Sequence, residues 1–329
     1  MRTDYDFNRT DLEAAAARVA EQVQETPTRN WPLLSARAGT EVLVKHENHT
    51  PIGAFKVRGG IIYLDELLNA PQAERPAGVI TATRGNHGQS IARAATAAGI
   101  ASTIVVPHGN SVEKNRAMTA FGARLIEYGK DFDEAKDEAA RLAAADGLHM
   151  VPSFHPALVK GVATYALELF RAAGPIDAVY VPIGMGSGIS GLMAARDALG
   201  LSTEIIGVVA EGAPAVALSF AAGRPVPTNS AITFADGMAC RDPNPESLAL
   251  ILRGAADVIR VSEDEIAEAI RNIYEDTHNI AEGAGAAAFA ALMKDHRRKK
   301  GQRLAIILSG GNIDRPVCAE VLAGRTPKP

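Results

Sequence analysis

The stretch that decides the fold is Lys45-His-Glu-Asn-His-Thr-Pro-Ile-Gly-Ala-Phe-Lys-Val-Arg-Gly-Gly60, which follows the apolar run Val42-Leu43-Val44. It turns at Pro51 and Gly53 and presents Lys56 just before an apolar face at helical spacing, formed by Ile61, Ile62, Leu64, Leu67 and Leu68. A lysine between two turns that contain glycine is an unusual place for a solvent-facing charge. Its local sequence alone still favours a surface or helix-end lysine, so its role depends on the rest of the chain.

The composition is that of a soluble globular protein. The chain has 329 residues, 47% of them hydrophobic, and can bury a large core in two domains or in one large α/β unit. Its formal net charge of -4 gives no reason to expect nucleic acid or an anionic membrane as a partner. The N-terminus has no signal-peptide pattern, no apolar run is long enough to span a bilayer, and Cys240 and Cys318 have neither metal nor disulfide spacing. We expect a cytoplasmic protein, in which the basic run at 297–300 solvates a helix end.

Strand and helix patterns alternate along most of the chain. Thr10 and Glu13 form a capping-box pattern at the start of a predicted helix over residues 10–22. Residues 77–150 read as a compact parallel-sheet unit, and a second series follows it, interrupted at 223–246 by a predicted loop rich in Pro, Gly and Asn. The strands are continuous Val/Ile runs, which indicates burial on both faces. The prediction is an α/β fold with two doubly wound, mostly parallel sheets.

Three loops rich in small residues follow predicted strands and precede predicted helices. They are residues 82–87, 183–188 and 309–312. Ligands of doubly wound folds bind beyond the carboxyl ends of strands, so the three loops can converge on one anionic ligand. The plain alternative is that the glycines serve tight turns, that Asn86 and Ser309 cap helices, and that His87 is structural. The glycine loop lacks the features of a nucleoside triphosphate loop or a dinucleotide fingerprint, which favours a small monophosphate.

Together and in this order, these motifs resemble the fold-type II pyridoxal-phosphate enzymes, most nearly the branch of threonine and serine dehydratases and serine racemases. The resemblance runs from about residue 20 to about residue 315. It rests on Pro51–Gly59, Gly85–Gln89, Lys160-Gly161 with Thr164 and Glu168, Ala235–Gly237, and Glu282–Ala286. It implies a fold like that of the tryptophan synthase β chain. Residues 1–76 and 151–329 would form a large domain that binds the cofactor, and 77–150 a small mobile domain that binds the substrate carboxylate.

The resemblance also implies pyridoxal 5'-phosphate as the cofactor and a role for each motif. Lys56 would hold the cofactor through a Schiff base and act as the base at the substrate Cα. Asn86 would hydrogen-bond the ring hydroxyl and Ser309 the ring nitrogen, and a hydroxyl at that position suits prompt loss of a β-leaving group. The other cofactor contacts would come from Gly184, Met185, Gly186, Ser187, Gly188 and Gly237. The substrate contacts would come from Thr83, Arg84, Gly85, Asn86 and His87.

The implied reaction is β-elimination from a β-hydroxy amino acid, L-threonine or L-serine, to a 2-oxo acid and ammonia. The family usually has serine where this chain has Arg84, and in serine racemases that serine works on the opposite face of Cα. A guanidinium stays protonated in proteins, which argues against a racemase. If Arg84 contacts the substrate rather than solvent, hydroxyaspartate or a phenylserine-type amino acid becomes an alternative. A cofactor-binding protein without catalysis would need a broken lysine motif or phosphate loop, and both are intact here.

The divalent-cation site of the family is matched only in part. Glu211 and Ala215 match it, but Ala217 replaces the aspartate, and the loss of one of two carboxylates weakens the case for a metal. Glu282 is expected at a helix start, stabilised there by the helix dipole. The chain stops about twenty residues after Ser309, which predicts a short catabolic form without a C-terminal regulatory domain. The family further implies a homo-oligomer, either a dimer or a tetramer.

Overall fold

Ten strands define the sheet framework in the part of the chain that the computed structural model describes, residues 3–69, 71, 75–295 and 301–328. The basic run at 297–300 lies outside these described residues. The strands are β1 (Thr28–Asn30), β2 (Glu41–His46), β3 (Gly78–Ala82), β4 (Ala101–Val106), β5 (Arg124–Glu127), β6 (His149–Met150), β7 (Ala178–Pro182), β8 (Glu204–Ala210), β9 (Asp257–Val261) and β10 (Arg303–Leu308).

The strands form two sheets. The larger has six strands in the order β1-β2-β10-β7-β8-β9, and the smaller has four in the order β5-β4-β3-β6. Neighbouring strands pair in parallel, except that the short β1 is antiparallel to β2. The prediction of an α/β fold with two mostly parallel sheets is confirmed. The smaller sheet uses only strands between residues 78 and 150, so the chain enters and leaves it once.

Thirteen α-helices surround the sheets in the described residues. They are α1 (Arg9–Ala20), α2 (Pro32–Ala38), α3 (Lys56–Leu68), α4 (Asn86–Ala97), α5 (Val112–Ala120), α6 (Phe132–Asp146), α7 (Pro156–Ala173), α8 (Ser187–Ala198), α9 (Ala215–Ala222), α10 (Pro245–Gly254), α11 (Glu263–Thr277), α12 (Gly283–Lys294) and α13 (Arg315–Leu322). Residues 223–244 are irregular as predicted, apart from a 3₁₀ turn at Asp236–Met238, and α10 takes up the last two residues of the predicted loop, which ends at 246.

The predicted N-terminal cap is wrong. Asn8, not Thr10, caps α1: its side chain accepts a hydrogen bond from the Asp11 amide, and the Asp11 carboxylate accepts one from the Asn8 amide. The same reciprocal pattern was expected two residues further on. Asn is at least as favourable as Thr at the N-cap position, so the helix starts after Asn8, the earlier of the two residues.

A buried ion network fixes the start of α3. The Arg58 guanidinium donates to Glu47 at 2.7 Å and to Glu168 of α7 at 2.6 Å. Lys45 of β2 donates to the second oxygen of Glu168 at 2.6 Å. Two cations thus meet two anions, and the Arg58, Glu47 and Lys45 side chains are fully buried. The helix that begins at Lys56 is therefore tied to both β2 and α7.

Candidate active site

One cavity brings the sequence-predicted cofactor and substrate residues together. Its walls come from the loops after β3, β7 and β10, so it lies beyond the carboxyl ends of strands from both sheets. The predicted residues that line it are Lys56, Thr83, Arg84, Gly85, Asn86, His87, Gly184, Met185, Gly186, Ser187, Gly188, Gly237 and Ser309. The three loops therefore converge, as expected from their positions after strands of a doubly wound fold.

Lys56 is the first residue of α3, and its amine is directed at the glycine loop. Its Nζ donates a hydrogen bond to Ser187 Oγ at 3.0 Å. Burial lowers the pKa of Lys56 to about 8, so a sizeable fraction of the amine is neutral close to neutral pH. The residue before it is held in place, because the Phe55 amide donates to the Ser309 carbonyl at 3.0 Å. A half-buried amine that loses its proton easily is suited to nucleophilic and base chemistry.

The glycine loop presents the N-terminus of α8 to the cavity. Gly186 caps this helix in the left-handed region at φ 96, and a Cβ at this position would lie 1.8 Å from Ser247 Oγ. Only glycine fits that conformation without strain. No side chain within the described residues caps α8. Its first amides are therefore open to an anion, which the helix dipole also favours.

The Thr83–His87 loop shapes the start of α4. Thr83 Oγ1 accepts hydrogen bonds from the amides of Gly85 at 3.0 Å and Gly88 at 3.3 Å. A Cβ on Gly85 would lie 2.4 Å from the Lys114 side chain, so this position also requires glycine. The Thr83 hydroxyl is thus engaged within the loop, while Asn86 and His87 begin the helix beside the cavity.

Arg84 and His87 differ sharply in their surroundings. Arg84 is exposed at the cavity rim and makes no hydrogen bond or ion pair with any described residue. His87 is buried, and its Nε2 has no hydrogen-bond partner in the described chain. Burial, aided by the charge of Lys56, lowers the pKa of His87 to about 3. His87 is therefore neutral near pH 7, which agrees with a structural role rather than that of a proton carrier.

A charged cluster at the cavity wall was missed by the sequence analysis. Lys114 of α5 places Nζ 2.6 Å from Asp236 Oδ2 and 3.4 Å from Glu282 Oε2. Burial alone would lower the pKa of Lys114, but the charges of Asp236 and Glu282 outweigh it and raise that pKa. Burial raises the pKa of Glu282, and the charge of Asp236 adds to this rise against the opposing charge of Lys114. Glu282 lies at the start of α12 as predicted, but burial has the largest effect on its pKa.

Asn86 connects this cluster to the loop after β10. Its Nδ2 donates to Glu282 Oε1 at 2.7 Å, and its Oδ1 accepts from Asn312 Nδ2 at 2.8 Å. Asn312 Nδ2 also donates to the Ile52 carbonyl at 2.8 Å. Asn86 thus keeps one amide hydrogen that these bonds do not use.

The two partial matches to a cation site lie away from the cavity. Glu211 follows β8, is exposed, and has Oε1 3.5 Å from Lys294 Nζ. Ala215 is buried at the start of α9. Among the described residues, no group of three or more His, Cys, Asp or Glu side chains is placed to hold a metal. Cys240 and Cys318 are both free thiols. None of the helices that the structure describes has the length and apolar character to cross a bilayer.

The family model for pyridoxal-phosphate dependent enzymes matches residues 19–310. The chain belongs to this family. Its relatives within the family include the biosynthetic L-threonine dehydratase of Salmonella typhimurium, which is 35% identical over 301 residues, covering 91% of this chain and 58% of that protein. The chain therefore spans little more than half the length of that relative.

Two further relatives match almost end to end. The L-threo-3-hydroxyaspartate ammonia-lyase of Saccharomyces cerevisiae is 31% identical over 320 residues, which covers 97% of each chain. The structure of maize serine racemase superposes with a TM-score of 0.89 at 27% identity, covering 97% of this chain and 98% of that one. The resemblance to threonine and serine dehydratases and serine racemases is confirmed.

The residues of the cavity fit pyridoxal phosphate. Lys56 offers an amine that is easily neutral, and the uncapped start of α8 suits a phosphate. Asn86 keeps an amide hydrogen for a ring oxygen, and Ser309 is a buried hydroxyl in the same wall. In the described part of the chain, His87 Nε2 also remains without a hydrogen-bond partner, as expected of a polar site shaped for a ligand.

Proposed function

We propose that this chain is a pyridoxal-phosphate-dependent ammonia-lyase. It removes the β-hydroxyl and the amino group of L-threonine or L-serine and releases a 2-oxo acid, 2-oxobutanoate in the case of threonine, together with ammonia. The observation that carries the proposal is the half-buried, easily deprotonated amine of Lys56, 3.0 Å from Ser187 Oγ at the uncapped start of α8. The threonine dehydratase named among its relatives supports the same reaction.

When bound, pyridoxal phosphate supplies an aldehyde that links to amines and a ring that withdraws electrons from the substrate Cα. Lys56 would hold the cofactor and, when its amine is free, would take the proton from the substrate Cα. The uncapped start of α8 would hold the phosphate through backbone amides. Ser309 would offer the ring nitrogen a neutral hydroxyl, which would leave that nitrogen largely unprotonated.

The substrate carboxylate is held by the start of α4, in the Thr83–His87 loop. We assign residues 77–150 to a small domain that carries this loop and moves on substrate binding, and residues 1–76 and 151–329 to the large cofactor domain. Polar contacts between the two units support a closed arrangement. Lys114 Nζ meets Asp236 at 2.6 Å, and Ser111 Oγ donates to Asp314 at 2.5 Å. Closure excludes water while the Cα proton and the β-hydroxyl leave.

The test is a 2-oxo acid release assay on L-threonine, L-serine, 3-hydroxyaspartate and phenylserine. We expect release from threonine or serine and a loss of at least about 10³-fold in Lys56→Ala, the order found when a catalytic proton acceptor is removed. Lys130→Ala, at an exposed surface lysine, is the matched control and should retain wild-type activity. No 2-oxo acid from any of the four substrates would refute the proposal. Accumulation of D-serine from L-serine on chiral chromatography would instead indicate a racemase.

Arg84 supports a second substrate class, β-hydroxy amino acids with a second carboxylate. It is a cation at the cavity rim that is not engaged by the described residues, and guanidinium binds carboxylates through paired hydrogen bonds. The hydroxyaspartate ammonia-lyase that matches end to end supports this class. The same arginine opposes racemisation, because it does not give up a proton near neutral pH.

We further propose that the enzyme works as a homo-oligomer in the cytoplasm. Leu33 of α2 and Tyr274 of α11 are exposed on two helices that pack together, which supports burial of this face in an assembly. Light scattering coupled to size exclusion should give a mass of two or four times the 34.5 kDa of the chain. A mass of one chain would contradict this proposal.

A further inference from the structure

The orientation of the Asn86 amide can be traced to a group that only accepts hydrogen bonds. The Ile52 carbonyl has no hydrogen to give, and Asn312 Nδ2 lies 2.8 Å from it. The same Nδ2 lies 2.8 Å from Asn86 Oδ1. Both amide hydrogens of Asn312 are thereby used. If the Asn312 amide were flipped, its oxygen would face two acceptors, the Ile52 carbonyl and Asn86 Oδ1.

The orientation of Asn86 follows from that of Asn312. Asn86 Oδ1 accepts from Asn312, so Asn86 Nδ2 faces Glu282 Oε1 at 2.7 Å. A reversed Asn86 amide would set its oxygen against the Glu282 carboxylate and its NH₂ against that of Asn312. Both contacts would be repulsive. The remaining Asn86 hydrogen lies on a side chain that lines the cavity, and it can meet only an acceptor.

Glu282 supports this orientation in either of its protonation states. It is buried at the start of α12, where Asn86 occupies Oε1 and Oε2 lies 3.4 Å from Lys114 Nζ. Within the described residues Oε2 has no hydrogen-bond partner. If the carboxyl takes up a proton, the proton resides on Oε2, and Oε1 still accepts from Asn86. The contact that orients Asn86 does not depend on the charge of Glu282.

We propose that Asn312 and Glu282 are positioning residues that fix the Asn86 amide as a hydrogen-bond donor to the cofactor's ring hydroxyl, and so keep that hydroxyl ionised. The inference rests on the proposed function, which assigns the cofactor to this cavity. A fixed N–H donor stabilises the ionised ring oxygen, which accepts its hydrogen bond. A neutral hydroxyl would instead point its own hydrogen at the hydrogen of the Asn86 amide. The orientation therefore selects the ionic form of the cofactor before any substrate binds.

The absorption spectrum of the holoenzyme, recorded without substrate, tests this inference independently of turnover. The ionised hydroxyl form absorbs at longer wavelength than the neutral form, so the ratio of the two bands reports the equilibrium. Asn312→Asp replaces the fixed donor by an acceptor and should lower the ratio at least about tenfold, equivalent to about 1.4 kcal/mol. Glu282→Met removes the other partner and should also lower it.

The conservative Glu282→Gln variant retains an oxygen for Asn86 and should stay within about twofold of the wild-type ratio. Glu275→Gln, an exposed carboxylate of α11, is the matched surface control and should not change the ratio. A purely structural role would not move the band ratio of folded, cofactor-loaded protein. Wild-type ratios in both Asn312→Asp and Glu282→Met with cofactor bound would overturn the inference.

A titration of the wild-type holoenzyme provides a second test that does not require a variant to fold. The ionised band should persist from about pH 9 down to about pH 6, because the donor holds the hydroxyl pKa below this range. Conversion to the neutral band within that range would overturn the inference while leaving the lyase proposal intact. A wild-type protein that takes up no cofactor would instead refute the proposed function itself.

Discussion

Replacement of Arg58 by Met should remove the cation at the centre of the buried ion network. Arg58 lies two residues after Lys56, and its guanidinium donates to Glu47 and Glu168 at 2.6–2.9 Å. Glu168 keeps Lys45 as a partner at 2.6 Å. Glu47 keeps only the neutral Thr26 hydroxyl among the partners that the structure describes, at 2.5 Å. The variant thus leaves one fully buried carboxylate without a cation.

An uncompensated buried charge costs about 3–5 kcal/mol, and we expect the free energy of unfolding to fall by that amount. The measurement is urea unfolding at a fixed excess of cofactor, because bound ligand adds to the apparent stability. Arg9→Met is the matched control, since it removes an exposed ion pair with Glu13 and should change the stability by no more than about 0.5 kcal/mol.

The double variant Glu47→Gln/Arg58→Met separates lost charge pairing from lost packing. It removes the orphaned carboxylate, so it should recover at least about 1 kcal/mol relative to Arg58→Met alone. A loss below about 1 kcal/mol in the single variant would refute the reasoning, because it would mean that water or repacking compensates Glu47. A double variant less stable than the single one would refute it as well.

Three further outcomes are expected. The rate at which cofactor-free enzyme takes up pyridoxal phosphate should rise with pH, with a midpoint at about 8, since only neutral Lys56 attacks an aldehyde. A midpoint near the ordinary lysine pKa of about 10.4 would contradict the effect of burial on the Lys56 pKa. Gly186→Ala should weaken cofactor binding at least about tenfold, because the added methyl group clashes with Ser247. Absorbance titration measures this affinity, and Gly200→Ala, also at positive φ but in open space, should bind the cofactor normally. Arg84→Met should lower kcat/KM at least about tenfold for 3-hydroxyaspartate but not for threonine, and an equal effect on both would exclude a contact with the second carboxylate.

The location of the cavity could be predicted from the sequence because its signals are local. Each of the three loops directly follows a continuous apolar strand, and parallel strands bring such loops to the same edge. The apolar runs of two of these strands end at residues that interrupt the pattern, Pro182 at the end of β7 and Ser309 directly after β10.

Lys114 and its partners could not be found this way. Lys114 and Asp236 are 122 positions apart in sequence. Their contact depends on how α5, beside the smaller sheet, is placed against the loop that contains Asp236. In sequence, Lys114 lies among Glu113, Asn115 and Arg116, and this group reads as a solvated helix face. No periodicity distinguishes Lys114 and Asn115, which are buried, from Glu113 and Arg116, which are exposed.

Short elements were missed for a different reason. The three-residue strand β1 and the helices α2 and α9, of seven and eight residues, are too short for a periodic pattern to stand out. α9 lies between Pro214 and Gly223 and is almost entirely apolar, so it shows no polar face either. The α1 cap was misplaced because Asn8 and Thr10 offer competing signals within one turn.

The central claim is that Lys56 is the amine that holds pyridoxal phosphate. Reduction of the holoenzyme with borohydride makes the link between the cofactor and its lysine permanent, and peptide mass spectrometry then locates it. We predict that the added mass is found on the peptide that contains Lys56, and that it disappears in Lys56→Ala. A cofactor adduct on Lys114 or on any other lysine, or no adduct at all, would contradict the account.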